Sequence, residues 1–221
     1  VWASCMVACG DADGAVTGNT RRFGASLEKL KQVVNPREGE IMFGLNLVVH
    51  KGKTIFVADT SVHEYPTSEQ MSEMAISTAR VVRLFGFDPK VAFVSHSTFG
   101  QPVTSRTKHI KKAVDILKEK NVDFEFDGDM QPDVALNKEY KNLYPFSNIV
   151  GNANILIMPG QHSAAISYKM MKELGDTKVI GPLLIGLGLP IEIAPLRTST
   201  SELINLASIA AYSADVIDYK K

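Results

Sequence analysis

The chain has 221 residues, 45% hydrophobic and 22% charged, with 24 basic and 24 acidic side chains. That composition suits a soluble globular protein with a core, and no overall charge recruits nucleic acid or an anionic membrane. No apolar run approaches the roughly 18 residues of a membrane span, no signal peptide is visible, and the two cysteines, Cys5 and Cys9, make neither a zinc site nor a disulfide framework.

Free thiols fit a reducing cytosol, so a cytoplasmic location is expected. The chain opens on Val1 and Trp2 without an initiator Met and reads as a piece of something longer. Its apolar start, Val1 to Ala8, ends in Gly10-Asp11-Ala12-Asp13-Gly14, and the glycines and aspartates up to Gly18 predict a tight turn. The two acids match no calcium loop, since no bidentate Glu follows at the required spacing. Phe23 to Val34 reads as a helix, with Phe23, Leu27, Leu30 and Val34 on one side and Asn35-Pro36 as its stop. Gly44–Val49 and Thr54–Ala58 are strands joined as a hairpin through Lys51-Gly52-Lys53.

Thr67 and Gln70 form a capping box for a long helix that buries Met71, Met74, Ala75, Thr78, Val82 and Phe85 and ends at Gly86. Next comes the stretch around which the chain is organised. Val91–Val94 is a buried strand, Ser95–Thr107 a polar loop with six hydroxyls and an Arg, and a helix starting at Lys108 turns Ile110, Val114 and Leu117 inward. A polar loop between a strand's carboxyl end and a helix's amino end is where open α/β sheets bind ligands. It is equally compatible with an ordinary connection. The lysines 108, 111, 112, 118 and 120 read as a solvated helix face.

Val122–Phe126 alternates as a strand before a polar loop, Asp127–Asp133. Asn154–Met158 is a buried strand, Gln161–Leu174 a helix, and Ile191–Ala194 one more strand. Arg197–Thr200 then precedes a last helix running to about Ala214. Strands alternating with helices predict a mostly parallel sheet covered on both faces. The polar loops Asp59–Glu64, Ser95–Thr107, Asp127–Asp133, Pro159–Ser163 and Leu196–Ser201 all follow strands and can converge on one ligand. They contain no dinucleotide fingerprint, P-loop, nucleophile elbow or metal-spaced histidine pair. Lone histidines such as His63, His96 and His162 are more often structural than catalytic.

Taken together, GDADGAVTG (10–18), FVADTSVHEYPTSEQ (56–70), VAFVSHSTFG (91–100), DGDMQPDVAL (127–136) and GPLLIGLGLPIEI (181–193) resemble the phosphate acetyltransferase family. SHSTFG, YPFSNIVGNANILIMP (144–159) and INLASIAAY (204–212) are most similar to the phosphotransacetylase-like region at the C-terminus of bacterial NADP-dependent malic enzymes. The resemblance implies an α/β fold of two doubly wound subdomains of the phosphate acetyl/butyryltransferase type. The second subdomain (37–189) is inserted into the first, whose remnants here are 1–36 and 190–221.

It further implies coenzyme A binding in the family's cleft, with a Ser-Arg pair, an Asp and a further Arg for catalysis. On this chain the Asp position falls on Glu202, the Ser-Arg pair on Pro195-Leu196 (with Arg197 one place late), and the other Arg on Glu28. The family's Gly-rich loop becomes Phe99-Gly100-Gln101-Pro102. The expectation is therefore a regulatory, oligomerising domain with no catalytic residues. It would bind acetyl-CoA through Ser97, Thr98, Arg106, Lys108, Lys111, Gly181, Pro182, Leu183, Arg197, Thr198 and Ser199. A homodimer through the inserted subdomain and a higher oligomer of the intact protein are implied, with NADP and a divalent metal confined to a malic-enzyme portion outside this chain. The alternative is an active phosphate acetyltransferase making acetyl phosphate and CoA from acetyl-CoA and phosphate.

Overall fold

The computed structural model describes residues 1–217, with every side chain among them except that of Lys141. By internal packing the chain forms two compact units, Val1–Asn46 with Ile180–Lys221, and Leu47–Val179. The resemblance sets the inserted segment at 37–189; the compact segment runs from 47 to 179. No helix among the described residues is long and apolar enough to cross a membrane.

Helix α1 (Trp2–Cys9) is followed by strand β1 (Ala15–Gly18), where the local composition predicts only a turn. The strand forms because it pairs in parallel with Ile191–Ala194, a partner no local pattern reveals. Helix α2 (Phe23–Leu30) buries Leu27 and Leu30 and stops short of the expected Val34. Val34 still enters the core from the turn that follows.

Strands β2 (Phe43–His50) and β3 (Lys53–Ala58) are neighbours joined by Lys51 and Gly52. Both linking residues have positive φ, 48° and 76°. That is the type I′ hairpin geometry, whose twist matches that of antiparallel strands.

Helix α3 (Ser68–Leu84) opens with the expected capping box. Gln70 N–H donates to Thr67 Oγ1 (3.1 Å), and Thr67 N–H to Gln70 Oε1 (2.8 Å). Such a cap contributes about 1 kcal/mol. The stripe of Met71, Met74, Ala75, Thr78 and Val82 is buried as expected. Phe85 is not part of it. The helix has already ended, and Phe85 is 40% exposed with its ring tilted against Phe56.

After β4 (Lys90–Val94), helix α4 (Ser105–Glu119) begins three residues before Lys108, because Thr104 and Thr107 cap one another there. Arg106 thus belongs to the first turn of the helix and not to the loop. Strand β5 (Glu125–Met130) corrects the strand expected at Val122–Phe126 and the loop expected after it. It runs through Asp127 and Asp129 because β4 pairs with it and the Asn148 N–H and the buried Ser97 hydroxyl donate to the two carboxylates. Gly128 fits there with φ 152°, where a Cβ would lie 2.7 Å from that of Phe93.

Then come α5 (Pro132–Leu136), α6 (Lys138–Lys141), β6 (Ile155–Ile157), α7 (Gln161–Leu174), β7 (Thr177–Ile185), β8 (Ile191–Ala194) and α8 (Thr200–Val216). One sheet has the order β5-β4-β6-β3-β2-β7, and β1 and β8 form a second. β5, β4, β6 and β3 run parallel, so the loops after them share one edge. Phe56, Met71, Met74, Phe93, Leu117, Met130, Ile155 and Ile157 are fully buried within this unit. Each contributes roughly 1.5–3 kcal/mol by leaving water. That core is what holds the edge in place.

Candidate functional site

The carboxyl edge of unit Leu47–Val179 rests on two buried carboxylates. Asp59, at the end of β3, accepts the N–H groups of Ser61 (2.8 Å) and Val62 (3.1 Å) on Oδ1. Its Oδ2 accepts the N–H of His63 (2.7 Å) and faces His63 Nδ1 at 2.8 Å. A buried carboxylate requires such donors, and here they shape the loop and fix the His63 ring. His63 is thus structural.

Asp129, on β5, does the same for the loop after β4. It accepts the hydroxyl of Ser97 and the N–H of Gly100 (2.9 Å), while its own carbonyl accepts Phe99 N–H (2.7 Å). Ser95 Oγ lies 3.0 Å from Ser97 Oγ. Ser97, expected to face a ligand, is fully buried and donates to Asp129. Thr98 Oγ1 accepts Gln131 N–H at 3.2 Å. These two hydroxyls hold the loop in position.

Arg106, Lys108 and Lys111 are exposed on the first turns of α4, whose first turn carries no acidic residue. The unpaired N–H groups of a helix start and these cations favour an anion. The Arg106 guanidinium lies 5.3 Å over the ring of Tyr65, a cation–π contact. The His162 ring stacks on Tyr65 at 6.3 Å, and His162 Nε2 is 3.4 Å from the Glu64 carboxylate. The edge therefore offers cations beside an exposed aromatic ring. Tyr65 and His162 come together only through β3 and β6 being neighbours.

Farther along α4 the lysines are surface ion-pair partners, as expected of a solvated face. Lys112 pairs with Glu69 (2.6 Å), Lys118 with Asp115 (3.3 Å), and Lys120 with Glu73. The Lys112 hydrogen bond is the main reason the Glu69 carboxyl is held down to about 2.

The other unit carries the remaining expected residues, described here by themselves. Gly181, Pro182 and Leu183 lie inside β7, with Pro182 and Leu183 buried. Their side chains are therefore core rather than ligand surface. Arg197 is exposed after β8 with φ 65°. Thr198 Oγ1 donates to Pro195 carbonyl oxygen (2.6 Å). Ser199 Oγ accepts Glu202 N–H (3.3 Å) and donates to Glu202 Oε2 (2.7 Å), which also accepts Ser199 N–H (2.8 Å). Ser199 and Glu202 thus engage one another as the cap of α8. Leu196 is 53% exposed, and Glu28 lies exposed on α2.

Glu192 is a buried acid in the middle of β8, and sequence reasoning does not single it out. The available signal is one carboxylate inside the apolar run Ile191–Ala194. Loss of water pushes its pKa up to about 8, against the pull of the Leu184 N–H that it accepts at 2.9 Å. It is protonated at neutral pH. No group of three His, Cys, Asp or Glu among the described residues could hold a metal ion.

The family model described as phosphate acetyl/butaryl transferase matches residues 1–211. An NADP-dependent malic enzyme of Rhizobium meliloti (strain 1021) is 46% identical over 213 residues, covering 96% of this chain and 28% of its own length. A phosphate acetyltransferase of Clostridium acetobutylicum is 31% identical over 223 residues, covering 96% of this chain and 67% of its own. Among solved structures, a phosphotransacetylase from Streptococcus pyogenes superposes with a TM-score of 0.89 at 28% identity, covering 97% of this chain and 66% of that one. The chain thus spans less than a third of the malic enzymes it matches and about two thirds of the acetyltransferases.

Proposed function

Because the chain belongs to the phosphate acetyl/butaryl transferase family, we propose that it is the regulatory and oligomerising part of an NADP-dependent malic enzyme, binding acetyl-CoA as effector without acetyltransferase activity. The parent enzyme would oxidise and decarboxylate malate to pyruvate, with NADP and a divalent metal held in its malic-enzyme portion. One observation carries the loss of catalysis: at the start of α8, Leu196 stands exposed and Ser199 and Glu202 are consumed by capping each other. With Glu28 as well, no described Ser-Arg pair remains at the matching positions to neutralise an acyl phosphate. Losing such charge stabilisation costs about 10²–10³-fold in rate per group.

Support for the effector comes from the Arg106–Lys108–Lys111 face at the start of α4, where phosphates meet cations and open N–H groups. The aromatic ring of Tyr65 under Arg106 suits an adenine. Exposed Leu143, Phe146 and Val150 in the same unit support a homodimer.

The second reading, an active acetyltransferase, draws on the similarity to the Clostridium acetobutylicum enzyme. Two measurements on the intact polypeptide separate them. Acetyl-CoA should bind by calorimetry, while acetyl phosphate and CoA should give no turnover. Arg106→Ala should weaken acetyl-CoA binding by about 1–3 kcal/mol and blunt its effect on malate oxidation while leaving the basal rate unchanged. Arg197→Ala tests the expected residues of the other unit in the same way. Full acetyltransferase turnover sinks the regulatory reading; an unaltered acetyl-CoA response in Arg106→Ala sinks the placement.

A further inference from the structure

Unit Leu47–Val179 contains a cavity that the acetyl-CoA reading does not use. It lies at the opposite edge of the parallel strands, where β3 and β6 begin and β2 ends, beside the last turn of α7. Its volume is about 680 Å³, within the roughly 300–1,000 Å³ of small-molecule sites. The wall is apolar, built from Val48, Ile55, Phe87, Leu136, Met171 and Leu174.

Two polar residues of the lining are already committed to the frame. The Asn154 side chain donates to Asp88 carbonyl oxygen (2.7 Å) and accepts Lys90 N–H (2.8 Å). His50 Nδ1 lies 3.0 Å from Thr177 Oγ1 and 3.2 Å from Asp176 carbonyl oxygen. No acidic side chain lines the cavity. Lys53, the one lysine or arginine of the lining, is exposed and has no ion-pair partner among the described residues. The Asn152 side-chain oxygen, buried and without a hydrogen-bond partner, is a further acceptor in the lining. An occupant therefore meets an apolar wall, one lysine and one open amide oxygen.

We propose that this cavity binds an amphipathic monocarboxylate, with its hydrocarbon part on the apolar wall and its carboxylate on Lys53. A neutral apolar molecule would fill the wall without using the ammonium. A dianion would place an unmatched charge beside apolar groups, at a desolvation cost. One hydrophobic tail with one anionic head suits both features. The cavity shares no residue with the Arg106 face, so the proposal stands apart from the effector reading.

The test uses octanoate titrated into the full chain, followed by calorimetry and by methyl-labelled methionine NMR. Saturable binding is expected, with the Met171 methyl shifting and the methyl of Met74, buried on α3, unmoved. Octanol should bind about tenfold more weakly, and Lys53→Glu should impose a similar loss on octanoate, as removal of one charge-assisted hydrogen bond requires. Leu174→Glu, at an exposed position of the lining, should also weaken octanoate. Acetyl-CoA affinity should stay unchanged in both variants. Absence of saturable binding, a silent Met171 methyl, or equal affinity for octanol and octanoate would each overturn the proposal.

Discussion

Replacing Glu192 with Gln isolates the energetic effect of one buried acid. The folded pKa of about 8 lies above the ordinary 4.5, so the native state holds a proton that the unfolded chain releases. The contribution is fully present below about pH 4.5 and is lost as pH rises through about 8, at about 1.4 kcal/mol per pH unit between them. From pH 5 to 7.5 the wild type should therefore lose about 3 kcal/mol through this group. Gln is neutral at both pH values and can still accept the Leu184 N–H, so its stability should lack this component. The extra N–H it buries costs about 1–3 kcal/mol and appears as a constant offset, already visible at pH 5. Urea unfolding followed by circular dichroism at pH 5, 6 and 7.5 measures both quantities. The wild-type curve should fall toward that of the variant, or below it, as pH rises. Parallel pH profiles would refute the reasoning, since the desolvation penalty could not then be present.

Asp129→Ala should destabilise the chain by about 1–3 kcal/mol in urea unfolding, because the Ser97 hydroxyl and the Gly100 N–H lose a buried acceptor. Gly128→Ala should cost at least about 1–3 kcal/mol, since φ 152° is forbidden to it and its Cβ meets Phe93; wild-type stability would show that β5 does not lie against Phe93. Lys112→Ala should raise the Glu69 pKa from about 2 toward 4.5 in an NMR titration, and an unmoved value would mean that the ion pair is not populated. Thr67→Ala should remove about 1 kcal/mol by breaking the box that starts α3.

Where a signal is local, the sequence is sufficient. The α3 cap uses residues three apart, and α7 and β8 have the limits that their apolar patterns and flanking breakers indicate. The α/β class follows from alternation of such segments. Family membership follows from ordered motifs across the chain. Local patterns fail where a remote partner decides. β1 exists because Ile191–Ala194 pairs with it. β5 extends through two aspartates because Ser97 and Asn148, 32 and 21 residues away, supply donors to them. The same physics governs the site. A hydroxyl in a polar loop can face a ligand or a buried carboxylate, and for Ser97 the choice rests on where β5 places Asp129. Glu192 carries the same limit furthest. Its residue type permits an ionised surface acid, but the packing around β8 removes water from it, and only that loss makes it a neutral acid at pH 7.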